Sequence, residues 1–180
     1  MRECGYCGKS IVYKNAQARF CSDKCRNYDR RRQQRNPIPA EITKRDRWVR
    51  WNAAKVPLTA SGSTASSTNP ATWTTYAGAT ASTAGVGIGY VLGDGIGCID
   101  LDHCLLDGKP NQEALTFLEA YPRHYIEVSP SGDGLHILGT AEAAVGRRYT
   151  ANGLHIERYS TGRYITVTGN VYQHGELLPL

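Results

Sequence analysis

Asp100 and Asp102 stand two apart in the apolar run Cys98-Ile99-Asp100-Leu101-Asp102. Side chains of an extended strand alternate between faces, so both carboxylates share one face while Ile99 and Leu101 take the other. Adjacent acids repel unless a divalent cation sits between them, and hard oxygen ligands suit Mg²⁺ or Mn²⁺. Taken alone, the pair fits equally a strand end whose acids face water. A second element favours the metal. The stretch Ser129-Pro130-Ser131-Gly132-Asp133-Gly134 is a tight loop whose glycines let backbone N–H groups point at an anion. Ser129, Ser131, Gly132 and Gly134 thus form a candidate phosphate cradle, and His136 on the outgoing strand can donate to a triphosphate oxygen. The third element, Leu154-His155-Ile156-Glu157-Arg158-Tyr159, alternates so that His155 and Glu157 share a face. Glu157 is a candidate third carboxylate, and Arg163 beyond the next turn offers a bidentate fork for phosphate. The plainer alternative for Glu157 and Arg163 is a surface ion pair across a hairpin.

A separate cluster lies at the N-terminus. Cys4-x2-Cys7 and Cys21-x3-Cys25 supply two thiolate pairs, each spaced to grip one ion at about 2.3 Å per sulfur. The alternative is four ordinary reduced cysteines. A segment this short has too little core to order itself, which favours Zn²⁺, and four cysteines close the tetrahedron, which makes the zinc structural. Phe20-Cys21-Ser22-Asp23-Lys24-Cys25 resembles the turn of small treble-clef-like zinc fingers.

Charge is unevenly spread. Residues 1–55 hold 15 Lys+Arg against 5 Asp+Glu, a balance of +10, so the remainder of the chain sums to −5 within the total of +5. That asymmetry points to a basic arm that meets a polyanion, with nucleic acid first among the candidates. Residues 26–35 are the most cationic stretch, and Arg26, Arg30, Arg31, Arg32 and Arg35 are the candidate phosphate contacts, alongside the aromatic Tyr28. No apolar run approaches the roughly 20 residues of a membrane helix, and Met1-Arg2-Glu3-Cys4 does not open a secretory signal. A cytoplasmic protein without a membrane partner is expected.

The elements that must position these residues follow from pattern. Asn36-Pro37-Ile38-Pro39 breaks the basic helix, giving a zinc module over 1–36, a linker over 37–46 and a catalytic domain over 47–180. Asn69-Pro70 predicts a helix over 70–83. The runs 86–92 and 96–101, joined by Gly93-Asp94-Gly95, predict a hairpin. A helix near 111–121 and strands near 124–129, 134–139, 154–159 and 163–168 complete an α+β fold with a mostly antiparallel sheet and flanking helices.

Together the three elements are similar to the archaeo-eukaryotic primase superfamily, and specifically to the bifunctional primase/polymerase N-terminal domains of phages and plasmids. Asp100 and Asp102 match the first motif of that family. Ser129, Ser131, Gly132, Gly134 and His136 match the second, and Glu157, Arg163, Tyr164, Thr168 and Gly169 the third. Trp51, Lys55 and Pro57 match a further stretch, which brings Lys55 into the nucleotide site. The resemblance implies an RRM-like catalytic sheet, two Mg²⁺ or Mn²⁺ ions on the carboxylates and an incoming nucleoside triphosphate gripped around His136. It implies a DNA primase and polymerase working on a single-stranded DNA template in the cytoplasm of the host cell, with a replicative helicase as a further expected partner. Two other readings share these residues: a DNA-binding replication protein whose chemistry has lapsed, and a metal-dependent nuclease.

Overall fold

Short apolar runs recur between Gly87 and Val167, and in the computed structural model they become antiparallel strands. Residues 2–34 and 37–180 are described, with side-chain surroundings for 2–29 and 37–180. The chain divides into two compact units, Met1–Pro37 and Ile38–Leu180.

In the first unit, a knuckle closed by Cys4 N–H to Lys9 O (2.8 Å) and Gly8 N–H to Cys4 O (3.0 Å) precedes helix α1, Asp23–Gln34. The Ser22 hydroxyl accepts from Cys25 N–H at 3.2 Å and caps that helix. Of the apolar residues here only Cys4 and Ile11 are buried, far too little to hold a fold on its own. Arg26 pairs with Asp23 on the exposed surface. Arg35 and the side chains of Arg30, Arg31 and Arg32 lie outside the described residues.

The second unit runs α2 (Ala40–Thr43), β1 (Trp48–Trp51), β2 (Pro57–Leu58), a 3-10 turn (Pro70–Thr72), α3 (Tyr76–Ala81), β3 (Gly87–Val91) and β4 (Ile96–Asp102). It continues through β5 (Leu105–Leu106), β6 (Lys109–Pro110), α4 (Gln112–Leu118), β7 (Tyr125–Val128), β8 (Leu135–Thr140), β9 (Arg147–Ala151), β10 (Leu154–Tyr159), β11 (Tyr164–Val167) and β12 (Val171–Gln173). One sheet has the order β11-β3-β1-β2, the other β12-β7-β8-β4-β10-β9, and β5 pairs with β6. The class is α+β with antiparallel sheets.

The period of two decides what each face meets. On the larger sheet Cys98, Leu138 and Tyr125 join Trp48, Tyr90 and Ile165 of the smaller sheet in one buried cluster. The intervening residues Ile99, Leu101, Ile137, Ile126 and Ile156 pack on the other face with Ala114 and Leu118 of α4. Each side chain of this size is worth about 1.5–3 kcal/mol when fully buried, so strand register is tightly held. A one-residue slip would exchange the two cores.

Three sequence expectations change. The glycine-rich turn at 93–95 closes with a Gly93–Ile96 bridge, but β3 and β4 form no hairpin. β3 pairs with β1 and β11, and β4 with β8 and β10. Tyr90, Val91 and Leu92 before the turn and Ile96, Cys98, Ile99 and Leu101 after it are all buried, so each is an interior strand that needs a partner at both edges. The single catalytic sheet is thus accompanied by a second one.

The helix expected over 70–83 is split. Asn69 does cap Pro70–Thr72, accepting from Ala71 N–H at 3.2 Å. The backbone of Thr74 then bonds in both directions to Trp48 (2.8 and 3.0 Å), and Thr75 caps a new helix, α3. The stretch 37–46, expected as a linker, packs into the domain: Ile38 and Ile42 are buried, and the Trp48 indole donates to Ile42 O at 3.1 Å.

Candidate active site

Strand register assembles the site. Across five neighbouring strands the paired residues run Glu127, His136, Asp100, Glu157 and Arg148. One step along the strands, Asp102 faces His155, which faces Thr150. These two rows continue the face that carries Cys98, Leu138 and Tyr125.

Glu127 is fully buried and has four neighbours for its two oxygens. Oε1 accepts from Thr168 N–H at 3.0 Å and lies 3.4 Å from His136 Nδ1. Oε2 accepts from Gly169 N–H and the Tyr125 hydroxyl, both at 3.0 Å. The far nitrogen of His136, Nε2, lies 3.6 Å from Asp100 Oδ1. Burial works to lower the basicity of His136, but the contact with Glu127 and the charges of Asp100 and Glu127 outweigh it, so the imidazole is more basic than usual. Burial, reinforced by the charges of Asp102 and Glu157 and opposed by His136 and Lys55, raises the Asp100 carboxyl above its ordinary range.

Glu157 is held differently. Its Oε1 lies 3.0 Å from Arg148 Nε, and its Oε2 lies 3.8 Å from Arg163 Nη2 and accepts from the Tyr159 hydroxyl at 2.8 Å. That hydroxyl also accepts from Arg148 (2.6 Å) and Arg163 (2.9 Å), and the Arg163 guanidinium lies 4.5 Å from the centre of the Tyr159 ring.

The glycine loop closes on itself through Ser129 N–H to Gly134 O (2.9 Å) and Gly132 N–H to Ser129 O (3.0 Å). Gly132 has φ +85°, where a side chain is strained. A Cβ at Gly134 would lie 2.7 Å from the Leu101 carbonyl, so this loop is pressed directly against the strand between its two aspartates. The Ser131 hydroxyl bonds both Ser129 (2.8 Å) and Asp133, and Asp133 in turn meets His103 Nδ1 at 2.6 Å. Those bonds from Ser131 and His103 hold the Asp133 carboxyl below its ordinary range.

Two cavities adjoin the carboxylates. One, of about 490 Å³, is lined by Asp100, Asp102, Glu157, Ser129, Ser131, His136, Lys55 and Arg163. It therefore gathers the carboxylates and all the nucleotide-site candidates from the sequence except Gly132 and Gly134, which belong to the loop that carries Ser129 and Ser131. Lys55 sits in a left-handed turn (φ 57°), with its carbonyl bonded by the Tyr164 hydroxyl. The other cavity, of about 480 Å³, shares Asp102 and Glu157. The donor set fits a hard divalent cation, because three carboxylates stand on one face and Asp100 lacks full charge compensation. Among the described residues, only the cysteines bring three or more ligand atoms within 4.8 Å of one another.

Of those cysteines, Cys7, Cys21 and Cys25 place their sulfurs 3.4–3.8 Å apart, and the Cys4 sulfur lies within 4.8 Å of all three. Burial would push the Cys4 thiol up, but bonds from the backbone N–H groups of Cys21, Cys7 and Tyr6 bring it down to about 6. Four thiols in this geometry suit a structural metal ion.

Sequence reasoning did not reach Glu127, Tyr159, Arg148 or the His103–Asp133 pair. The signal for Glu127 was present: an acid alternating with Tyr125 in an otherwise apolar strand, two residues before the loop. No helix among the described residues is long and apolar enough to cross a membrane.

No family model matches the chain. A DNA primase-polymerase from Nitratiruptor phage NrS-1 is 34% identical over 150 residues, covering 75% of this chain and 21% of the relative. The chain thus spans about a fifth of the length of the curated relative it matches. The chain is thus similar over three quarters of its residues to a primase-polymerase, and Asp100, His136 and Glu157, one residue from each of the three motifs in the expected order, share one sheet face.

Proposed function

We propose that this chain is a DNA primase and polymerase that makes primers on single-stranded DNA by template-directed nucleotidyl transfer. The observation that carries the reading is the row of His136, Asp100 and Glu157 across adjacent strands, backed by buried Glu127 and lining a cavity with Ser129, Ser131, Lys55 and Arg163. Acids at one wall and phosphate-binding groups at the other are what a nucleoside triphosphate and its reacting phosphorus require.

Two divalent cations, Mg²⁺ or Mn²⁺, held by Asp100, Asp102 and Glu157 would supply the positive charge that stabilises the transferring phosphoryl group. In the transfer a 3′-hydroxyl oxygen bonds to the α-phosphorus, the bond to the α,β-bridging oxygen breaks, pyrophosphate leaves and the hydroxyl proton passes to water. Ser131, His136, Arg163 and Lys55 orient the triphosphate, and no side-chain nucleophile takes part. Glu127 keeps Nδ1 of His136 on the protein side and so turns Nε2 to the cavity.

The cysteine quartet would hold Zn²⁺ and order the N-terminal unit. Its exposed Tyr6 and Tyr28 rings stack at 5.5 Å and 18°, with Lys24 5.8 Å from the Tyr28 ring. Stacked exposed rings beside cations, followed by the arginines of 26–35, suit single-stranded template.

The test is extension of labelled nucleotides on single-stranded DNA with Mg²⁺ or Mn²⁺, beside the D100A/D102A variant. Metal-dependent products that the variant does not make are expected. No product from the unaltered protein would refute the reading, and shortened template would instead support a nuclease.

A further inference from the structure

The second cavity is not explained by triphosphate binding. Asp102 and Glu157 form the ridge between the two cavities, so whatever occupies the second lies across the carboxylates from Ser131, His136 and Arg163. Its walls carry the row Asp102, His155 and Thr150, together with His103 and Arg148. His103, Arg148, Thr150 and His155 are all exposed, and His155 Nδ1 meets the Thr150 hydroxyl at 3.2 Å. The imidazoles, the hydroxyl and the guanidinium offer hydrogen bonds and charge, and Tyr149 and Ile156 add apolar surface.

Nucleotidyl transfer is an in-line displacement: the attacking oxygen enters opposite the leaving pyrophosphate. If the triphosphate tail lies among Ser131, His136 and Arg163, the attacking hydroxyl must arrive from the other side of the same carboxylates. On this fold that side is the second cavity. It opens at β9, the edge strand of the larger sheet, where Arg147 and Arg148 are exposed in sequence. A strand of nucleic acid leaving the cavity along that edge would meet positive charge, as its phosphates require.

The geometry points to this cavity as the subsite for the 3′-terminal nucleotide of the acceptor strand, with His155 and Thr150 bonding its sugar and Arg148 and His103 facing its last phosphate. The inference rests on the proposed nucleotidyl transfer and adds the location of the second substrate. His103 has a further property that fits the role. It follows Asp102 directly, holds a left-handed backbone (φ 51°) and bonds Asp133 of the glycine loop, so it links the two substrate sides.

The experiment compares the full chain with a His155→Ala/Thr150→Ala variant, both positions being exposed. Binding of a fluorescent primed template is measured by anisotropy without nucleotide, and steady-state extension is then measured against acceptor and against nucleotide separately. Loss of two hydrogen bonds is expected to weaken acceptor binding and raise the acceptor KM about tenfold, with the nucleotide KM changed by less than about twofold. A Lys55→Ala variant is expected to show the opposite split. A primed strand with 4-thiothymidine at its 3′ end is expected to crosslink within residues 147–155.

Unchanged acceptor affinity, a raised nucleotide KM, or crosslinking to the 129–136 loop would overturn the subsite. Each of these leaves nucleotidyl transfer standing. Absence of extension by the unaltered protein would instead remove the reading on which the subsite depends.

Discussion

Replacing Glu127 by Gln tests whether this buried acid holds the site together. The carboxylate accepts three bonds at 3.0 Å, from Thr168 N–H, Gly169 N–H and the Tyr125 hydroxyl, and meets His136 Nδ1 at 3.4 Å. Gln has one accepting oxygen. Set at the Oε2 position, it keeps Gly169 and Tyr125 but turns its NH₂ toward the Thr168 N–H and the imidazole. One buried donor is then unsatisfied, at about 1–3 kcal/mol, and two bonds lose charge assistance at up to about 1 kcal/mol each, for a total of about 1–5 kcal/mol. For a unit of this size about 4 °C accompanies each kcal/mol, so calorimetry should show a Tm about 4–20 °C lower. Because His136 loses the partner that orients it, single-nucleotide extension below the new Tm should also show a raised nucleotide KM. Glu119→Gln, at an exposed position, serves as control. A Glu127→Gln protein with a Tm within about 3 °C of the unaltered chain and an unchanged nucleotide KM would refute both the bond accounting and the positioning role.

Two further outcomes follow from the ionisable groups. The Asp100 carboxyl is raised by burial and by its acidic neighbours, so its protonated form is favoured in the native state. Its contribution is therefore stabilising below the unfolded value and is lost as pH rises through the native one. Asp100→Asn should then raise the Tm of the metal-free protein at neutral pH, with the advantage shrinking toward about pH 4; a lower Tm for the variant at neutral pH would count against it. Mg²⁺ or Mn²⁺ should raise the Tm of the unaltered chain by mass action and leave that variant unmoved. The thiols should fall into two classes. A chelator should expose Cys4, Cys7, Cys21 and Cys25 to a thiol reagent, whereas Cys98 and Cys104 should react only in denaturant, since both are buried and burial pushes the Cys104 thiol up to about 11. Six fast thiols before denaturation would contradict the fold.

Period-two alternation made the catalytic face legible: it placed Asp100 with Asp102, and His155 with Glu157, without reference to any partner strand. Side-chain chemistry likewise pointed to Ser131, His136 and Arg163, and the family resemblance to Lys55; all four line one cavity. Strand pairing was not legible. The turn at 93–95 has the glycines of a hairpin, yet the residues flanking it are buried on both faces, and burial is decided by strands far along the chain. Glu127 was missed for the same reason, since a lone acid in Tyr125-Ile126-Glu127-Val128 gains its meaning only when Thr168, Gly169 and His136 arrive beside it. The exposed strand β9 carries Arg147, Arg148 and Thr150 with no apolar alternation to mark it.

The absent hairpin has a consequence during synthesis. As the chain leaves the ribosome, β4 emerges well before either of its neighbours, because Asp100 pairs with His136 on one side and Glu157 on the other. Until β8 is made, Ile96-Gly97-Cys98-Ile99 has both edges open, and until β10 is made one edge stays open, the kind of segment that recruits other copies into aggregates. Asp100 and Asp102 are the only charges on that strand and act there as gatekeepers. Carboxylates proposed for chemistry would thus also keep the unfinished chain soluble, and replacing both by alanine should lower soluble yield before activity is measured at all.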